Sequence, residues 1–135
     1  MDNELLEIFT DKLLSDIPLM QEYIEMLKDD KQTSVPHLFR FFHNYKASSS
    51  FLELNEFYLL VSQGENILNA LRSSPNNPGE HDIKWLQSCL SQLQLWSNQL
   101  TLAEELSSRN PSLFPTIASL DDGEQYSQRT ERLLA

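Results

Sequence analysis

Between Leu38 and Leu52 the apolar residues recur with the spacing of a helix, and this stretch restricts the fold more than any other. At about 100° per residue, Leu38, Phe41, Phe42, Tyr45, Ser48, Ser49 and Leu52 fall on one side and form a stripe that must be buried. His43 falls on the opposite side, with Arg40, Lys46, Ala47 and Ser50 within a turn of it, because residues three and four apart are helix-surface neighbours. Phe39 and Phe51 flank this polar patch, and aromatic rings beside a solvent-facing polar centre are what a partner surface uses. The plain alternative is a solvated face that happens to carry a histidine.

A helix with one apolar stripe needs others to bury it, and the rest of the chain supplies them. Leu5, Leu6, Phe9, Leu13 and Leu14 recur at helical intervals after a cap at Asp2 or Asn3. Pro18, two residues after Asp16, fits the first turn of a new helix from Ile17 to about Lys28. The two segments are either one kinked helix or two helices. Asp29 to Thr33 reads as a loop, and Ser34 as the cap of the His43 helix with Pro36 in its first turn.

The next helix is expected from Asn55 to about Arg72, with Phe57, Val61, Gly64, Leu68 and Leu71 as its seam and Glu65 at the seam's edge. Gly64 weakens that helix by about 1 kcal/mol relative to alanine, so a close helix approach is its expected reason. The turn formers from Ser73 to Glu80 mark a loop. Asp82 then reads as the cap of a long helix whose stripe includes Ile83, Leu86, Leu90, Leu93 and Leu100, with Trp85 and Trp96 packed beside it. Arg109-Asn110-Pro111 and Pro115 stop the pattern.

These signals predict an all-α protein, an antiparallel four-helix bundle with additional terminal helical segments. Residues 1–15 are expected as a helical lead-in, 16–107 as the bundle, and 108–135 as either a further helix or the start of a linker. With 135 residues and 40% hydrophobic content there is room for one proper core. A net charge of −10 argues against nucleic acid and anionic membrane surfaces. A lone Cys89, an acidic Met1-Asp2-Asn3-Glu4 start and no long apolar run point to a reducing, cytoplasmic setting.

The run Phe39-Arg40-x-x-His43-x-x-Lys46 followed by small residues resembles the phosphoacceptor helix of histidine-containing phosphotransfer (HPt) domains, especially those of chemotaxis-type histidine kinases. In that family the histidine carries a phosphoryl group, the lysine one turn later lies beside it, and a glutamate on the next helix hydrogen-bonds the histidine. His43, Lys46 and Glu65 stand at those positions. Ala47 replaces the glycine that usually follows the lysine and still leaves a partner room to approach. Ser62 replaces the second histidine of chemotaxis kinases, a change that bears on a kinase-type hydrogen-bond network and leaves phosphotransfer itself untouched. The motif covers about residues 34 to 72, and the bundle resemblance about 17 to 107.

The resemblance implies a phosphoryl carrier in a two-component phosphorelay. His43 would be the phosphoacceptor, Lys46 (and Arg40) the charge partner of the phosphoryl group, and Glu65 the residue that orients the imidazole. Phe39, Arg40, Ala47, Ser50 and Phe51 would meet the partner. The sequence has no glycine-rich phosphate loop and no carboxylate cluster for Mg²⁺. Mg²⁺ and ATP are therefore expected from partner domains: a histidine kinase catalytic domain or a response-regulator receiver domain.

The sequence also admits three rival readings. A non-catalytic interaction module would bind a partner through the Phe39 and Phe51 face, and Ala47 and Ser62 are the residues that favour it. A metal-binding bundle needs inward Glu-x-x-His ligands, a pattern this sequence lacks. Hydrolase chemistry needs a serine or cysteine in motif spacing with a histidine, and none stands so.

Overall fold

The computed structural model describes residues 3–101, which form four α-helices and no strand: α1 Asn3–Met26, α2 Lys31–Phe51, α3 Asn55–Ser73 and α4 Glu80–Thr101. They pack as a four-helix bundle in which each helix lies beside its sequence neighbour and α4 closes the ring against α1. Ring contacts show the antiparallel order. Phe9, early in α1, meets Tyr45, late in α2, and Phe57, early in α3, while Phe57 meets Trp96, late in α4. At the other end Tyr23, late in α1, stacks on His37, early in α2.

The core is built from the expected stripes. Leu13, Met20, Leu38, Phe42, Phe57, Leu60, Leu68, Leu86, Leu90, Leu93 and Trp96 are fully enclosed, and Trp85 is buried with them. On α2 the buried line is Ser34, Val35, Leu38, Phe42, Tyr45 and Ser49. Phe41 is only partly buried, and Ser48, expected inside, is exposed and returns its hydroxyl to the Asn44 carbonyl. Gly64 has the reason its position suggested. A Cβ there would fall on the Phe42 ring, 2.6 Å from Cδ1, so α2 and α3 approach as closely as they do only because the residue is glycine.

Several boundaries differ from expectation. The first two segments are one helix, so the 15/16 division falls inside α1 and residues from Asn3 onward belong to the bundle. Pro18 sits in that helix's interior instead of a first turn and removes one backbone donor. Burial of Phe9, Leu13, Ile17, Met20 and Ile24 along one face outweighs that loss.

Helix α2 starts at Lys31, within the stretch expected as loop, and its cap is Asp30, whose carboxylate accepts from the Thr33 N–H at 3.2 Å. Ser34 is therefore a buried helical residue and Pro36 an interior one. Helix α4 begins at Glu80, which places Asp82 in its first turn and not at its cap.

The α2–α3 turn is a Schellman-type closure: Leu54 N–H reaches the Ser49 carbonyl at 2.9 Å and Glu53 N–H reaches Ser50 at 3.2 Å. Glu53 takes the left-handed position, φ 59°, that glycine usually fills. Lys31 Nζ donates to the carbonyls of Ser74 and Asn76 at 2.5 and 2.9 Å, which ties the α3–α4 connection to the start of α2. The expected end of the bundle at 107 and the segment 108–135 lie outside the described residues. Among the described residues no helix is long and apolar enough to cross a membrane.

Candidate functional site

The close approach of Phe42 and Gly64 sets the register of α2 on α3, and the neighbouring residues, His43 and Glu65, inherit it. His43 Nδ1 lies 3.1 Å from Glu65 Oε2. A carboxylate can only accept, so Nδ1–H donates and, in the neutral ring, Nε2 on the opposite edge keeps its lone pair. The second carboxylate oxygen, Oε1, is 3.5 Å from Lys46 Nζ. Glu65 is thus shared between an imidazole and an ammonium, which offsets the cost of a carboxylate whose side chain is only 12% exposed. The His43 side chain is 63% exposed. The arrangement presents a tautomer-selected imidazole to solvent, with a cation one turn away.

The other expected residues divide. Phe39 lies one turn before His43, and its ring runs nearly parallel to the imidazole, 14° between planes and 5.9 Å between centroids. Ala47 and Ser50 are exposed on the same side of α2, consistent with an open approach. Arg40 turns away, its Nη2 donating to His37 Nδ1 at 3.1 Å, so it does not stand beside His43 as a charge partner. His37 is thereby held between Arg40 and the Tyr23 ring, whose centre lies 4.6 Å from that of the imidazole. Ser62, where chemotaxis kinases carry a second histidine, bonds the Tyr58 carbonyl of its own helix at 2.6 Å.

Phe51, 77% exposed, belongs to a different feature. With Leu5, Ile8 and Phe9 of α1 and Ala47 and Leu52 nearby, it lines an open apolar groove of about 450 Å³, with Lys12 beside it. Ala47 is the link, since it borders both the groove and the His43 patch.

Two neighbours of the site escaped sequence reasoning. The Lys46 ammonium lies 6.0 Å from the centre of the Tyr58 ring, and the Arg72 guanidinium lies 4.5 Å over Phe39. The available signal was register. If α2 and α3 run antiparallel with 43 opposite 65, residues after 65 face residues before 43, which brings Arg72 toward Phe39. Among the described residues no group of three or more His, Cys, Asp and Glu side chains gathers as a metal site.

No family model matches the chain, and no curated protein or solved structure matches it.

Proposed function

We propose that this protein is a phosphoryl carrier of the histidine phosphotransfer type, with His43 as the group that accepts and donates the phosphoryl. The observation that carries the reading is the bond between His43 Nδ1 and Glu65 on an imidazole that is otherwise exposed. A buried structural histidine needs no free face, and an ordinary surface histidine needs no oriented tautomer. Here both conditions of a nucleophile are met together.

In the forward step the Nε2 lone pair attacks phosphorus of the donor, an aspartyl phosphate or the γ-phosphate of ATP held by a partner domain. A P–N bond forms, the P–O bond to the leaving group breaks, and the carboxylate or ADP departs with the electron pair. The proton on Nδ1 stays in place, and Glu65 stabilises the positive charge that develops on the ring. Lys46, already drawn to Glu65 and one turn from His43, turns its ammonium to the phosphoryl oxygens as a point-charge partner. Donation to a receiver aspartate is the same path reversed. The partner supplies Mg²⁺ and, where it is a kinase catalytic domain, ATP.

The test is to incubate wild type and His43→Gln with a phosphorylated receiver domain or an active chemotaxis-type kinase domain and follow acid-labile phosphate. Label on the wild type and none on the variant is the expected result. A folded wild type that no donor in a broad panel labels would overturn the proposal.

A second reading is a non-catalytic interaction module, favoured by the groove of Leu5, Ile8 and Phe51. In that case Phe51→Ser abolishes partner capture and His43→Gln leaves it unchanged. The carrier reading ranks first because the groove does not explain why Glu65 and Lys46 converge on His43.

A further inference from the structure

Two side chains outside the cluster of His43, Lys46 and Glu65 reach it through a single ring. Phe39 packs against the hydrophobic core and lies nearly parallel to the imidazole. Arg72, in the last turn of α3, lays its guanidinium over that same phenyl ring. His43 by itself is held by one hydrogen bond, and an imidazole held at one atom still swings about that bond. A parallel ring one turn away removes this freedom by offering a favourable stack in only one orientation of the plane.

We infer that Phe39 and Arg72 are positioning residues for His43: Arg72 holds the phenyl ring, and the ring holds the plane in which Nδ1 meets Glu65. The consequence for phosphoryl transfer rests on the carrier reading, whereas the orientation of the ring does not. A planar guanidinium is suited to the task because it stacks on an aromatic face as well as being drawn to it electrostatically.

The site thereby extends along α3. The cluster read from sequence joins α2 to the middle of α3 through Glu65, and Arg72 adds a second attachment two turns further along the same helix. With both in place the imidazole is fixed at an atom and in a plane, which is what a nucleophile needs to meet phosphorus in line.

The experiment uses the full chain, ¹⁵N-labelled, as wild type, Phe39→Leu, Phe39→Tyr, Arg72→Gln, Arg72→Lys and the Phe39→Leu/Arg72→Gln double variant. Long-range ¹H–¹⁵N spectra read the tautomer of His43, and initial rates of phosphoryl acceptance are measured on the same samples. Phe39 is only partly buried, so the leucine variant folds, and thermal melts verify that.

The wild-type ring is expected with its proton on Nδ1, and Phe39→Tyr is expected to match it. Phe39→Leu and Arg72→Gln should both move the signals toward the mixture of free imidazole. Each should slow acceptance by about threefold to tenfold with KM for the donor unchanged. Arg72→Lys should recover part of the loss, and Arg72→Gln should add nothing once Phe39 is leucine.

Unchanged imidazole signals in Arg72→Gln, or an equal rate loss in both backgrounds, would show that Arg72 acts by charge alone and would overturn the inference. If the wild type takes no label from any donor, the carrier reading fails, and the spectra still decide whether Phe39 and Arg72 orient the ring.

Discussion

Glu65 answers His43 with one oxygen and Lys46 with the other, so its removal disturbs two groups at once. Glu65→Ala should free the imidazole to populate both tautomers and lower the rate of phosphoryl acceptance by about tenfold, with Glu65→Gln between it and wild type because an amide oxygen still accepts from Nδ1–H. Initial rates with a common phosphodonor check the order. Tyr45, two residues on from His43, donates to Asp16 at 2.5 Å and joins α2 to α1. Burial first, and then the bond to Asp16 and its negative charge, push the phenol well above its ordinary value of 10.0. A phenol whose folded value is raised contributes stability that is fully present below its unfolded value and lost as pH rises above it. Wild type should therefore lose stability above about pH 10. Tyr45→Phe should be less stable by about 1 kcal/mol at neutral pH and lack that alkaline component, as read by denaturant midpoints across pH. His43, Lys46 and Glu65 were legible in sequence because they stand at the positions of the phosphotransfer motif that the chain resembles, and helical spacing puts the first two on one face. Arg40 was not, because its choice of His37 over His43 is a rotamer and not a position.

Helices α2 and α3 hold the site through their closest point. Gly64 meets Phe42 there, and each is chain neighbour to a site residue. Gly64→Ala gains helix propensity of about 1 kcal/mol and forces a methyl into an aromatic ring, a strain that costs roughly 1–3 kcal/mol. The strain should win or balance, and the separated helices should lengthen the contact between His43 and Glu65. The expected outcome is an unchanged or lower melting temperature together with slower phosphoryl acceptance. A stable variant with wild-type rates would show that Phe42 can retract and that the register does not depend on glycine. Element boundaries were less legible than element existence. Polar residues from Asp29 to Thr33 suit a loop and the first turn of a helix equally, and the choice fell to helix because the Asp30 carboxylate reaches the Thr33 N–H. Pro18 carried the same ambiguity. Its missing donor is a local cost, while the apolar face of α1 is a cooperative gain that extends on both sides of it.

Across the whole molecule, a net charge of −10 on 135 residues makes self-repulsion a general term in stability. Raising neutral salt from 0.01 M to 0.15 M shortens the Debye length from about 30 Å to about 8 Å and should raise the melting temperature by a few degrees. A fall instead would mean that attractive pairs such as Lys46 with Glu65 and Lys84 with Glu80 outweigh the repulsion. The sequence by itself determined the all-α class and most of the stripes that bury themselves, and its motif resemblance singled out the three candidate site residues. Periodicity and residue type are properties of the chain, and they carry into any compact arrangement that satisfies them. Only the tertiary structure decided that α1 is unbroken, that Phe51 opens onto a groove with α1, and that Arg72 reaches Phe39. Those outcomes depend on which helix faces meet and at what register. That balance is struck by packing among residues far apart in sequence, so no local pattern records it.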